Sequence, residues 1–263
     1  MKVYGIDFTS RPRKGKPITC AVCQLDDDKL RFDELRSFAS FDSFEQLLVS
    51  PGPWIAGIDF PFGQSRKFIK NIGWPSNWPD YVKKVGSMSR EAFRRALDDY
   101  RAPRPAGDKE HRREVDIRAR SISPQKLYGV PVGLMFFEGA PRLLKSGATI
   151  KPVHEGDPKR IVVEAYPGVL ARQLIDRRSY KHDTKKKQTN AQLLARREIL
   201  SKLERSLGLA APAELAEDPT GDQLDAFICA VQAAWAWSSR DANYGIPTNV
   251  DRLEGWIVDQ SLY

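Results

Sequence analysis

The sequence predicts an α/β fold, on three observations. The tetrapeptide Gly-Ile-Asp-Phe occurs twice, at residues 5–8 and 57–60, each time at the end of a short apolar run. A third apolar run, residues 161–163, leads into Glu164. A late segment, residues 221–237, has helical periodicity and many small residues.

Residues 2–6 and 54–58 are too brief for globular helices and read as buried strands. Both stop on a carboxylate. In an open parallel sheet, ligands bind beyond the carboxyl ends of the strands, so Asp7 and Asp59 are predicted to share one edge if the strands run side by side. Two such aspartates repel each other unless a proton, a basic side chain or a metal ion neutralises them. An oxygen-only cluster favours Mg²⁺ or Mn²⁺. The plainer alternative is that each aspartate caps the following turn.

Residues 17–25 and 30–38 are strand-like runs separated by Asp26, Asp27 and Asp28, a hairpin signature. A short helix is expected behind Asp42 or Ser43, with Phe44, Leu47 and Leu48 turned inward, until Pro51-Gly52-Pro53 ends it. From residue 62 to 158 the pattern changes to a basic, mostly helical insertion. Trp74 and Trp78 lie among prolines there, and their burial in its core is favoured over base stacking. Ser89 is placed to cap a helix carrying Phe93, Ala96, Leu97 and Tyr100. Arg112, Arg113, Arg118, Arg120 and Lys126 follow, either as phosphate contacts or as an ordinary solvated face. The predicted domain is thus single, with its core in residues 1–61 and 159–263.

Beyond Glu164, residues 169–175 read as a helix, then a basic stretch spans residues 180–187. An amphipathic helix with Leu193, Leu200, Leu203 and Leu207 on one stripe is expected to stop at Gly208. Lys181 and its neighbours either grip phosphates or belong to a solvated loop. In the last helix Leu224, Ile228, Val231 and Trp235 form the apolar stripe, with Asp222 and Asp225 on the other side of the first turn. The helix dipole accounts for Asp222. Asp225 sits among apolar and small residues, where a lone charge is costly, and so is a functional candidate.

The chain has 263 residues, a net charge of +8 and a pI near 9.4, which favours a polyanionic partner such as nucleic acid. Cys20, Cys23 and Cys229 make no disulfide framework, and Cys20 and Cys23 fall in a strand, where residues three apart face opposite ways. The first residues lack a long apolar core, so a cytoplasmic protein without a membrane span is expected. His111, His154 and His182 are flanked by polar or basic residues and are expected at the surface. There is no P-loop, no Gly-x-Gly-x-x-Gly and no Gly-x-Ser-x-Gly. Nicotinamide and flavin cofactors and hydrolase-elbow chemistry are therefore disfavoured. Carboxylates without His or Cys suit two-metal phosphoryl transfer, with nearby arginines and lysines to hold a phosphodiester backbone.

Taken together, Gly-Ile-Asp-Phe, Gly-Ile-Asp-Phe-Pro-Phe-Gly, Ser123-Pro124, Val-Glu-Ala-Tyr-Pro at 163–167, Gly-Asp-Gln-Leu-Asp-Ala at 221–226 and Glu-Gly-Trp-Ile at 254–257 resemble a family of unknown function described as predicted RNase H-like nucleases. The segment 222–226 is similar to the last catalytic helix of RuvC-type resolvases. This resemblance implies an RNase H-like mixed five-stranded sheet with helices on both faces, and Mg²⁺- or Mn²⁺-dependent cleavage of nucleic acid. The leading reading takes Asp7, Asp59 and Asp225 as metal ligands, Asp222 and Glu164 as further catalytic acids, and, from the basic segments, Arg113, Arg118, Lys126 and Lys181 as the substrate-binding cations. Two other readings stay open: a noncatalytic nucleic-acid-binding or scaffold protein on the same fold, and an actin-like phosphotransferase acting on a small molecule.

Overall fold

The computed structural model describes residues 1–27, 29–182, 184–207, 209 and 211–262. A six-stranded mixed sheet with helices against both faces forms the frame. Strand β1 (Lys2–Asp7) leads into a hairpin of β2 (Ile18–Asp26) and β3 (Lys29–Phe38), then helix α1 (Phe41–Leu48) and β4 (Trp54–Asp59). Helices α2 (Arg66–Ile72), α3 (Trp78–Gly86), α4 (Arg90–Arg101), α5 (Glu114–Arg118) and α6 (Val132–Ser146) follow. The chain then returns through β5 (Ala148–Lys151), β6 (Asp157–Glu164), α7 (Pro167–Ile175), α8 (Asn190–Leu207) and α9 (Asp222–Ser238).

The strand order is β3-β2-β1-β4-β6-β5. Strands β1, β4, β6 and β5 run parallel, while β2 and β3 are antiparallel additions beside β1. The sheet therefore has six strands where the resemblance implies five. The sixth comes from residues 148–151, inside the expected insertion: after the left-handed Gly147 ends α6, Ala148, Thr149 and Ile150 are buried against β6 as an edge strand. So short a run carries too little periodicity to announce itself in sequence.

Alternation along the strands divides the core. Tyr4, Ile6, Ala56 and Ile58 meet α1, α2, α3, α4 and α6 on one face, while Val3, Ile55 and Val163 meet α7, α8 and α9 on the other. Phe68, Trp78, Tyr81, Phe93 and Phe136 belong to the first of these cores, which the sheet shares with α2, α3, α4 and α6, whereas Val115 of α5 joins the second. Trp78 is buried with its indole N–H donating to the Phe62 carbonyl at 2.7 Å, and Trp74 is buried as well. Cys20 and Cys23 fall on opposite faces of β2, and all three cysteines are free and buried.

Local signals set several boundaries. Ser40, rather than Asp42 or Ser43, caps α1 by accepting from the Ser43 N–H. Ser89 caps α4 by accepting from the Ala92 N–H, with Phe93, Leu97 and Tyr100 buried. The β2–β3 turn uses Asp27 at φ 53°; Asp28 lies outside the described residues. On α8 the buried stripe is Ala195, Arg196, Ile199, Leu200 and Leu203, and Leu193 is half-buried. The side chain of Leu207 and the expected stop at Gly208 lie outside the described residues. His111 is buried, against expectation, because the Tyr100 hydroxyl meets its Nε2 at 2.6 Å and Gln125 accepts its N–H.

The repeated Gly-Ile-Asp is explained by α9. Gly5 and Gly57 pair across β1 and β4, and α9 lies directly on both: a Cβ at Gly5 would overlap the Ala226 carbonyl oxygen, and one at Gly57 the Cys229 carbonyl oxygen. The isoleucines turn to the opposite face, and the aspartates, two residues beyond the glycines, turn back toward the first turn of α9. We expect Gly5→Ala to cost about 3 kcal/mol, the upper range for overpacking a rigid core, measured by urea unfolding. No helix among the described residues is long and apolar enough to cross a membrane.

Candidate functional site

Parallel pairing sets Asp7 and Asp59 opposite one another at the carboxyl ends of β1 and β4. Both are partly exposed, and no described side chain or backbone N–H donates a hydrogen bond to either carboxylate. Helix α9 begins beside them. Its N-cap, Gly221, has φ 77°, and a Cβ there would crowd the aliphatic stem of Lys181, so glycine both permits the turn and seats the lysine.

Asp225, fully buried, is held on two sides: the Tyr180 hydroxyl donates to Oδ1 at 2.7 Å and the Lys181 ammonium is paired with Oδ2. Asp222 stands one turn earlier, half-buried. Lys181 acts on all four acids, and Lys16 acts on Asp222 as well. Burial pushes the Asp7 carboxyl well above the usual range; Lys181 opposes this, while Asp222, Asp225 and Asp59 add to it. Burial likewise takes Asp59 up to about 7, opposed by Lys181 and raised further by Asp225 and Glu164. Burial by itself would lower the Lys181 pKa, but Asp225, Tyr180 and Asp7 raise it well above the ordinary lysine value. The charge balance is acidic even with both lysines present.

Glu164 ends β6 beside Ile58 and belongs to a separate network. Its Oε1 and Oε2 accept from the Arg113 guanidinium at 2.6 and 2.8 Å, and Oε2 also accepts the Phe62 N–H at 2.9 Å. Arg113 completes its five donors on both Asp116 oxygens and the Glu254 carbonyl. Arg113, Asp116 and Glu164 are each at most 2% exposed. Arg113 therefore locks β6 to α5 from within, and its guanidinium has no donor left for a phosphate.

The other predicted cations are dispersed. Arg118 is exposed, paired with Glu114 at 2.6 Å, and lies over the Trp256 ring at 5.4 Å. Lys126 is half-buried with its ammonium 5.1 Å from the Tyr128 ring. Lys181 turns inward to the acids. The sequence offered Tyr180 only as the start of a basic stretch; its hydroxyl is tied to Asp225 by tertiary contact alone.

A cavity of about 290 Å³ opens beside these groups. Asp59, Lys181 and Asp225 are among its lining residues, and Tyr166, Pro167, Ile122, Val130 and Met135 supply apolar walls. Hard carboxylate oxygens suit a divalent cation, and Asp7 and Asp59 have theirs uncommitted. As the side chains stand, however, no group of three or more His, Cys, Asp or Glu among the described residues is placed to hold a metal ion, and Lys181 is paired with Asp225. The donor set fits the ion in chemistry and requires that ammonium to withdraw.

No curated protein and no solved structure matches the chain. A family model does, over residues 5–252, from the first Gly-Ile-Asp-Phe to beyond α9. The chain therefore belongs to the protein family of unknown function DUF429.

Proposed function

We propose that the protein is a divalent-cation-dependent phosphodiesterase acting on nucleic acid, on an RNase H-like sheet extended by one edge strand. One observation carries the reading: two neighbouring strand-end carboxylates, Asp7 and Asp59, accept no hydrogen bond from any described residue and sit beside two further aspartates, with Lys181 and Lys16 as the cations acting on the four acids. Buried acids in such excess favour a further cation. The sheet order β3-β2-β1-β4-β6, with an antiparallel hairpin followed by parallel strands, supports the fold assignment.

Asp7 and Asp59 would hold the ion, joined by Asp225 once Lys181 leaves it. Bound there, Mg²⁺ or Mn²⁺ supplies an activated water and charge stabilisation at the phosphate. Tyr180 keeps Asp225 oriented by its hydrogen bond while the lysine moves. The displaced ammonium stays at the cavity mouth, its side chain already 38% exposed, where it can meet a substrate phosphate.

The Lys181–Asp225 pair also favours a second reading, a noncatalytic nucleic-acid-binding protein in which the lysine is a permanent counter-ion. Calorimetric titration with Mn²⁺ separates the two. The hydrolase reading expects a site that Asp59→Asn removes and that Lys181→Met tightens about tenfold, since a competing charge is gone. Absence of metal binding in both wild type and Lys181→Met, with oligonucleotide binding intact in chelator, selects the noncatalytic reading.

A further inference from the structure

Two shallow depressions of about 450 and 610 Å³ run beside α7 and share Arg120, Arg172, Asp176 and Arg177. Arg178 lines one and Arg118 the other, so five arginines face a single carboxylate, Asp176. Arg118 and Arg178 are paired with Glu114 and Glu198, and Arg172 donates to the Ala119 carbonyl. Arg120 and Arg177 are exposed and have no partner among the described residues. Such a concentration of guanidinium groups is complementary to a chain of phosphates.

The depression containing Arg178 meets the cavity beside Asp59 at Gly168 and Tyr180. Arg172 marks the junction, its guanidinium 5.6 Å from the ring of Tyr166, which belongs to the cavity wall. The cavity rim is apolar and open: Ile122 is 41% and Val130 54% exposed. A basic track therefore leads to a niche lined by an aromatic ring, aliphatic side chains and the acids Asp59 and Asp225. At about 290 Å³ the niche lies at the small end of ligand pockets and suits one planar group.

We propose that this face takes a single nucleic-acid strand, with its phosphates along Arg120, Arg172 and Arg177 and one unpaired base in the niche against Tyr166. The assignment rests on the nuclease reading for its substrate and narrows it to single-stranded nucleic acid or a single-stranded end. A strand with free bases enters the niche without loss, whereas a duplex must first unpair and unstack one. The arginines read no sequence, because backbone contacts position a strand and do not specify it.

Fluorescence anisotropy in chelator tests this apart from cleavage, using a labelled oligothymidylate of roughly twelve nucleotides, within the usual range of single-strand site sizes, and a duplex of the same length. The single strand is expected to bind at least tenfold more tightly. Arg120→Ala with Arg177→Ala should weaken it tenfold or more and reduce the slope of log affinity against log salt by about 1 to 1.5, near 0.7 per lost phosphate contact. Val130→Trp, which fills the niche mouth, should abolish the preference for the single strand while leaving the salt slope unchanged. Equal duplex binding, or unchanged affinity in the double arginine variant, overturns the proposal. If the expected binding is found but no divalent ion produces cleavage, the nuclease reading fails alone; if cleavage occurs without dependence on these arginines, the strand assignment fails alone.

Discussion

Asp7→Asn abolishes divalent-ion-dependent cleavage, by 10²-fold or more, and at the same time raises the melting temperature of the metal-free protein. Both effects come from one carboxylate. Burial penalises the charged form of Asp7, which faces Asp59 and is repelled by Asp222, Asp225 and Asp59, with Lys181 in opposition. An amide of the same shape removes that repulsion. A structural aspartate would behave in the opposite way, losing stability and sparing activity. Thermal unfolding in chelator, with a cleavage assay on the same preparations, distinguishes the cases.

The pH dependence follows the same logic. Asp59 titrates near 7 in the folded protein and near 4 unfolded, so between these values the folded state binds more protons. Its contribution to metal-free stability is therefore lost as pH rises from about 4 to 7. Asp59→Asn should flatten that decline, and saturating Mn²⁺ should flatten it in the wild type, because a bound cation removes the penalty on the charged form. A stability profile identical in wild type and Asp59→Asn would show that the fold places no penalty on the charged form of Asp59.

Arg113→Leu is expected to have the largest effect on stability, about 3–5 kcal/mol, because it leaves two carboxylates, Asp116 and Glu164, buried without their cation. The loss should shrink at acidic pH, where both acids can take up a proton. Arg113→Lys should rescue little of it, since three donors cannot replace five fixed in a plane. Adding Glu164→Gln to Arg113→Leu should recover part of the loss by removing one stranded charge. Chemical denaturation of the three variants measures this. Unaltered stability in Arg113→Leu would mean that the network does not clamp β6 to α5.

Much of the site was legible because its signals are local. Gly-Ile-Asp-Phe places a small residue, an apolar residue and an acid at fixed offsets on a strand, and strand period alone predicts that the glycine and the acid share a face. Asp225 stood out because a charge among Leu224, Ala226 and Phe227 has no local partner. Glu164 passed the same test for a different reason: its partner, Arg113, lies 51 residues away and is invisible to local reading. The basic side chains misled in the same manner. Arg113 and Lys181 looked like surface cations, yet one is consumed inside the fold and the other neutralises the acids. The arginines that line one depression together, Arg120, Arg172 and Arg177, come from two segments about fifty residues apart, Arg120 after α5 and the other two at the end of α7.

The sequence by itself determined the α/β character, the strand-end position of Asp7 and Asp59, and the small-residue face that lets α9 lie against the sheet. These depend on periodicity and side-chain size, which act over a few residues. Tertiary structure alone decided the sixth strand, the enclosure of Arg113 between two acids, and the seat of Lys181 on Asp225. Each of those requires distant segments to meet, and the energy of a charge depends on what it meets rather than on its neighbours in the chain.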